Sequence, residues 1–465
     1  MNLSEIITKN PCDCGETHEI VTKKIQIQKN ITPDIIDFIK NNFGDNAKGC
    51  IICDENTHKA SLNMLWATTA PGMCKAVTLD IKSHHADEFM VADCENILEN
   101  KSFDYFIACG SGTIHDITRI VAHKKNKPFI SYPTAPSVDG FVSVIAPITT
   151  KDGMKISFPA VAPIALFADI DVLAAAPQRL AASGAGDILA KYIALTDWRI
   201  SHLLTGEYIC EPTVKFEYAA IKKVKDSIFE LRRNTQSPLL KGGGGEADGG
   251  LPSSLRETSD SANPRPSGTP FQKGAYEKFC ADLLEALVIS GLCMQYTGNS
   301  RPASGAEHHI AHFFEMGTIL STDCLHGENV GIGSVLCADL YHRFAKSDNI
   351  KFIENYDIDK DLIKKYYANI YDEIIKENAP NSVKNVTPEI FYGNIEKIKE
   401  IIAEIPSVEE FNEVFDILGG VRNVSELNAY DLKCGEDEIA PLALKLAPYI
   451  RNRLTLLKLM RCIEF

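Results

Sequence analysis

The stretch FDYFIACGSGTIHDITRIVAHKKNKPFISYPTAP, Phe103 to Pro136, decides the fold. Its apolar run YFIACG is too short for a helix and reads as a buried strand. The run breaks on Gly-Ser-Gly, and HDITRIVAHKKN then spaces its apolar residues as a helix does. FISYP is a second short apolar run and ends in a Pro-rich loop. Strand, tight turn, helix and strand make the unit of a parallel sheet, whose neighbouring strands need a crossover connection.

Working outward, KGCIICDENT (48–57) and CKAVTLDI (74–81) read as further strands of the same sheet. From about Pro177 the pattern changes. PQRLAASGAGDILAKYIALTDWRISHLL, KFCADLLEALVISGLCMQYTG and AEHHIAHFFEMGTIL are helix-like, and strand signals nearly vanish. The sequence therefore predicts an α/β domain over 1–178, Rossmann-like and suited to a dinucleotide, and an all-α domain over 179–465. A cleft between them would be a favoured place for a ligand. Residues 235–274 fit neither domain. Gly, Pro, Ser and charges dominate there without apolar periodicity, which predicts a disordered surface insertion.

Composition narrows the function. With a formal net charge of −14, the chain is a poor partner for nucleic acid or an anionic membrane, though a few local cations suffice for a small anion. The opening MNLSEIITKN has no apolar core and no uninterrupted apolar run reaches spanning length, so the expectation is a cytoplasmic chain. Its 14 scattered cysteines then read as reduced thiols.

Three places carry candidate chemistry. In CGSGTIHD a strand ends, glycines allow close approach and a helix begins, which suits a pyrophosphate. A plain tight turn would use the same residues, and His115 replaces the third glycine of the usual fingerprint. The loop SYPTAPSVDGFVSVIAPI (131–148) surrounds a single acid, Asp139, at the carboxyl end of the sheet. Asp54 ends an earlier strand at that edge, placed to accept from a ribose or to cap the next turn.

In the helical part, AASGAGDILAKY sets Asp187 and Lys191 at i and i+4 amid small apolar residues, where a buried carboxylate needs a partner or a metal. RPASGAEHHIAHFFE follows with His308, His309 and His312, and CLHGENVGIG with His326. Consecutive helical residues point about 100° apart, so His308 and His309 serve different surroundings. Asp187, one histidine of the cluster and His326 form a catalytic-type metal triad, with His308 and His309 both open for the middle place. CDCGETH offers Cys12, Cys14 and His18. Three donors fall short of a structural zinc set, so this stretch reads as a turn with free thiols.

Together GSGTIHDITR, YPTAPSVDGFVS, SGAGDILAKY, GNSRPASGAEHHIAH and LHGENVGIG, in that order, resemble the bacterial branch of the sn-glycerol-1-phosphate dehydrogenases. These are members of the iron-containing alcohol dehydrogenase superfamily, with a dehydroquinate synthase-like fold. The resemblance implies a metal on Asp187, His308 and His326, with His309 structural. Asp139, Asp187, Lys191 and His312 would then serve the substrate, with Asp187, Lys191 and His312 also catalytic. The nucleotide site implied comprises Asp54, Gly110, Gly112, Thr113, Ile114, His115, Asp116, Thr134, Ala135, Pro136, Ser137 and Ser143. The implied cofactors are NAD or NADP and one divalent metal (nickel, zinc or iron). The implied substrate pair is dihydroxyacetone phosphate and glycerol 1-phosphate, the implied assembly a homodimer. Lys191 and Arg301 are the candidate phosphate contacts. A glycerol dehydrogenase would share nearly every motif. A dehydroquinate synthase-like cyclase would carry Glu where this chain has Asp187.

Overall fold

The computed structural model describes residues 12–62, 74–81, 85–236, 271–354 and 358–465. Among these, six strands build one parallel sheet: β1 (Lys24–Gln28), β2 (Gly49–Asp54), β3 (Cys74–Leu79), β4 (Tyr105–Gly110), β5 (Phe129–Pro133) and, after two others, β8 (Ala165–Asp169). Their order is β1-β8-β5-β4-β2-β3. β4, β5 and β8 are buried at every position, as a sheet covered on both faces requires. Alternation assigns the two faces. Ile51, Ile107 and Phe167 pack with Ile35 and Ile39 of helix α1 (Thr32–Phe43). Ile52, Phe106 and Ala108 pack on the other face with α2 (Glu88–Ile97) and α3 (Gly112–Lys124).

From β2 the chain steps outward to β3, then returns to the other side of β2 as β4. That reversal opens a crevice beyond the carboxyl ends of β2 and β4, where open α/β sheets bind ligands. Asp54 and Ser111 stand on its two sides.

The remaining two strands were not expected. β6 (Ile145–Thr149) and β7 (Lys155–Pro159) form an antiparallel hairpin over part of what reads as a loop. β7 sets Lys155, only 3% exposed, against the cleft.

After β8 comes α4 (Ile170–Ala175), and from α5 (Gln178–Leu189) onward the chain is mostly helical. The principal helices are α6 (Lys191–Thr205), α7 (Glu211–Gln236), α8 (Lys273–Thr297), α9 (Ala306–Glu315) and α10 (His326–Lys346). One antiparallel pair, Lys351–Phe352 with Ile463–Glu464, departs from an all-α arrangement. The expected insertion at 235–274 falls mainly on 237–270, outside the described residues; 235–236 end α7, and 273–274 begin α8. α8 alone among the described helices is long and apolar enough to cross a membrane, and 83% of its most apolar window is buried inside the chain.

Candidate active site

The sheet and the helices meet at a half-open cleft of about 1050 Å³, the solvent at its mouth included. Ser111, Gly112, Thr113 and Asp116 line it from the start of α3, Ser137, Asp139 and Ser143 from the loop after β5, and His308, His312 and His326 from α9 and α10. The local folding follows from close packing. A methyl group added to Gly186 of α5 would run into the carbonyl oxygen of Gly327, so glycine lets α5 and the start of α10 touch backbone to backbone. That contact brings Asp187 of α5 to His326 of α10.

Asp187, His308 and His326 each offer one donor atom, and the three atoms lie within 4.8 Å of one another. The wider arrangement fits a metal. His308 Nδ1 is 2.7 Å from Glu307 Oε1, and His326 Nδ1 is 2.6 Å from Glu315 Oε1. A carboxylate that accepts from Nδ1–H fixes the tautomer and leaves Nε2 as the ligand atom. His308 Nε2 indeed faces Asp187 Oδ1 at 3.7 Å. A second grouping, His312, Glu315 and His326, is equally compact. However, Glu315 already holds His326 Nδ1 and accepts from Lys155 Nζ at 2.6 Å, which makes it an orienting group.

Behind the triad lies a charged lattice. Asp187 Oδ2 accepts from the Asp139 amide at 2.9 Å. Its Oδ1 accepts from Lys191 Nζ at 2.6 Å, and Lys191 also reaches Asp139 Oδ2 at 2.8 Å. Asp139 Oδ2 accepts a further bond from Ser290. Burial pushes the Lys191 ammonium toward neutrality, but the two carboxylates outweigh it and the net shift is upward. For Asp187, burial raises the carboxyl while Lys191, His308 and His326 pull it lower still, so it stays ionised.

This corrects the reading of the two cations. Lys191 is fully buried, donates to Asp139 and Asp187, and is not among the residues that line the cleft, a placement that positions the carboxylates. Arg301 is bound to Glu207, Ser201 and the Leu454 carbonyl, and lines no part of the cleft. The cations around the cleft were missed: Lys155 lines it, and Arg451 and Arg453 stand behind its wall. Arg451 donates to Ser157 Oγ and the Lys155 carbonyl, and Arg453 to Ser300 Oγ and the Ser304 carbonyl, four residues of the cleft wall. Among the described residues neither guanidinium has a carboxylate within ion-pair distance. Burial, then the like charge of Arg301, pushes Arg453 down to about 10.

The nucleotide residues divide. Ser111 forms no side-chain cap on α3, whose first turn opens on the cleft. Asp116 receives Arg119 at 2.8 Å, and Arg119 also holds the carbonyls of Ile145 and Gly140, fixing the loop that carries Ser143. His115 is different. It faces the core, with Nδ1 2.9 Å from the Ser111 carbonyl and Nε2 2.8 Å from Ser131 Oγ, and burial pushes it down to about 3. Ile114 is buried over Gly110. Thr134, Ala135 and Pro136 do not line the cleft; the Pro136 carbonyl packs on Gly184 of α5. Asp54 sits at the crevice as expected, but its Oδ1 accepts from the Thr57 amide at 2.8 Å and caps the turn Glu55–Thr57.

The cluster histidines separate by face. His312, 8% exposed, lines the cleft beside the triad, its ring 5.9 Å from that of His326. Burial, despite the opposing pull of Glu315, keeps it neutral. His309 is turned away into the core. Glu307 and Glu315 were missed, although each has a signal: one adjoins His308, the other ends the same helix.

Comparison with known proteins gives the family. The family model for iron-containing alcohol dehydrogenases matches residues 26–177. A glycerol-1-phosphate dehydrogenase (NAD(P)+) of Halalkalibacterium halodurans is 32% identical over 461 residues, 96% of this chain and 94% of that one. One from Bacillus subtilis is 34% identical over 347 residues, 73% of this chain and 76% of that one. Among solved structures, the NADH-dependent butanol dehydrogenase A of Thermotoga maritima aligns with a TM-score of 0.51 at 12% identity, over 92% of this chain and 97% of that one, a likeness of fold. The chain belongs to the glycerol-1-phosphate dehydrogenase family, within the iron-containing alcohol dehydrogenases.

Proposed function

We propose that this chain reversibly reduces dihydroxyacetone phosphate to sn-glycerol 1-phosphate, with NADH or NADPH as hydride donor and one divalent metal ion on Asp187, His308 and His326. One observation carries the reading: a single cleft is lined by two carboxylate-oriented histidines, with a buried aspartate beside them, and by Lys155, Ser157, Ser300 and Ser304, on which two guanidiniums without carboxylate partners are hydrogen-bonded. Family membership supports it. Two imidazoles and a carboxylate suit zinc, nickel or iron(II), and the resemblance favours nickel or zinc.

Asp187, His308 and His326 would hold a divalent ion, whose Lewis acidity would favour negative charge on the ketone oxygen. The protein's own groups do the rest. Asp187 stays ionised through its Lys191 contact, and Glu307 and Glu315 hold the two imidazoles in the ligating tautomer. Ser111, Gly112 and Thr113, at the amino end of α3, bind the nucleotide's diphosphate. Asp54 reaches the ribose with whatever its cap leaves over. Arg451, Arg453 and Lys155 bind the substrate's phosphate, with Ser300 and Ser157 as neutral donors. His312, neutral and beside the triad, moves the proton between the substrate oxygen and a hydroxyl or water.

A glycerol dehydrogenase would have no use for the guanidinium pair. Turnover of glycerol 1-phosphate should therefore far exceed that of glycerol at equal concentration; equal or higher turnover of glycerol would replace this assignment.

A further inference from the structure

Away from the cleft, the structure joins two parts of the chain that the sequence keeps apart. Cys12, Cys14 and His18 come from the turn ahead of β1, and Cys210 from the residue just before α7. The four donor atoms lie within 4.8 Å of one another. None of the four residues lines the active-site cleft. We propose that these residues form a second metal site, a closed Cys3His zinc site that ties the amino-terminal segment to the helical part of the chain.

Several observations converge on it. The sulfurs of Cys12 and Cys210 are 3.7 Å apart, too far for a disulfide bond of about 2.05 Å. They match the sulfur–sulfur edge of about 3.8 Å that a tetrahedron with zinc–sulfur bonds of about 2.3 Å would have. Cys14 Sγ and His18 Nε2 approach to 3.1 Å, so the imidazole presents the same nitrogen to the cluster that the thiol faces. The turn is shaped for the purpose. The Gly15 amide donates to the Cys12 carbonyl at 3.0 Å and the Cys12 amide to the Glu16 carbonyl at 3.1 Å, with Gly15 in the left-handed region at φ 89°. That tight loop points two thiols the same way. Tyr296 stacks on His18 at 3.9 Å between ring centroids and fixes the imidazole plane.

The chemistry selects the ion. Three thiolates and one imidazole are soft and borderline donors, the set of structural zinc, and four protein ligands leave no open position for substrate. The site's role is then mechanical. Just beyond it, the Val21 amide donates to Gln295 Oε1 at 2.9 Å and Thr22 Oγ1 accepts from Gln295 Nε2 at 2.8 Å. The clip and this glutamine together dock the approach to edge strand β1 on α8 and α7.

The catalytic triad contains no sulfur, which gives a clean spectroscopic separation. Cobalt(II) loaded in place of zinc should give the wild-type chain a sulfur-to-cobalt charge-transfer band. That band should persist in His308→Ala/His326→Ala, which empties the triad, and vanish in Cys14→Ser or Cys210→Ser. Metal analysis after zinc loading should find two equivalents in the wild type and one in either kind of variant. Absence of the band from the wild type would overturn the proposal, whatever the fate of the variants on folding. So would a Cys12–Cys210 disulfide found by mass spectrometry of the unreduced chain. The result is independent of which substrate the cleft turns over.

Discussion

Glu315 stands between His326 and Lys155, taking the imidazole Nδ1 at 2.6 Å on one oxygen and the ammonium at 2.6 Å on the other. It thereby links the candidate metal triad to Lys155 on the cleft wall. Burial raises its carboxyl, but Lys155, His85 and His326 outweigh that and hold it well below the ordinary range. Replacing it by the isosteric amide keeps the volume and removes the charge. Glu315→Gln should weaken zinc or nickel binding roughly 10- to 100-fold with the fold retained. Metal titration of the stripped protein measures this, and unchanged affinity would remove Glu315 from the site.

The guanidiniums of Arg451 and Arg453 should act on substrate binding alone. A hydrogen bond to a charged group is worth about 1.5–3 kcal/mol. Each alanine variant should therefore raise KM for dihydroxyacetone phosphate roughly 10- to 100-fold. The KM for the nicotinamide nucleotide should stay put. Steady-state kinetics with each substrate varied in turn separates the two; a rise confined to the nucleotide would move these residues to the cofactor site.

Gly186 tests how the triad is assembled. An added methyl meets the Gly327 carbonyl, so Gly186→Ala must push α5 away from the start of α10. The expected cost is about 1–3 kcal/mol of stability, together with loss of tight metal binding because Asp187 and His326 part. Urea denaturation and metal analysis check both. A variant as stable and as metal-replete as the wild type would show that the helices do not need this contact.

Glu217 gives a pH prediction. Burial pushes its carboxyl up to about 8, against the pull of Lys191. The folded chain thus keeps a proton that the unfolded chain releases above 4.5, the group's ordinary value. Its contribution to stability is undiminished below 4.5 and is eroded as pH rises toward about 8. The slope is at most roughly 1.4 kcal/mol per pH unit. Glu217→Gln should gain on the wild type steadily between pH 5 and pH 8 in urea denaturation. Parallel curves would mean that Glu217 ionises without penalty.

How much of this was legible in the chain follows from the range of each signal. The β4–α3–β5 unit is local, and its periodicity and its Gly-Ser-Gly break are visible without partners. Asp187 and His326 stand in small-residue surroundings that mark buried polar groups, but the residues alone left His308 and His309 both open for the middle place, and only the resemblance chose His308. Arg451 and Arg453 were not legible, because nothing near them in sequence shows that they will meet Ser157 and Ser300. Cys210 lies 198 residues from Cys12, and three donors without it look like an ordinary turn. His115 occupies a helix position that suggested the nucleotide, yet its ring turns inward to Ser131. For Lys191 the i, i+4 spacing showed Asp187 as a neighbour, but the second carboxylate, Asp139, comes from the loop after β5, which local spacing does not reveal.

The central claim is tested most directly by the stereochemistry of the product. The metal-loaded chain should oxidise NADH or NADPH in the presence of dihydroxyacetone phosphate and yield sn-glycerol 1-phosphate as the sole enantiomer, with activity lost in His326→Ala. Formation of sn-glycerol 3-phosphate, or no nucleotide oxidation by fully metal-loaded protein, would contradict it.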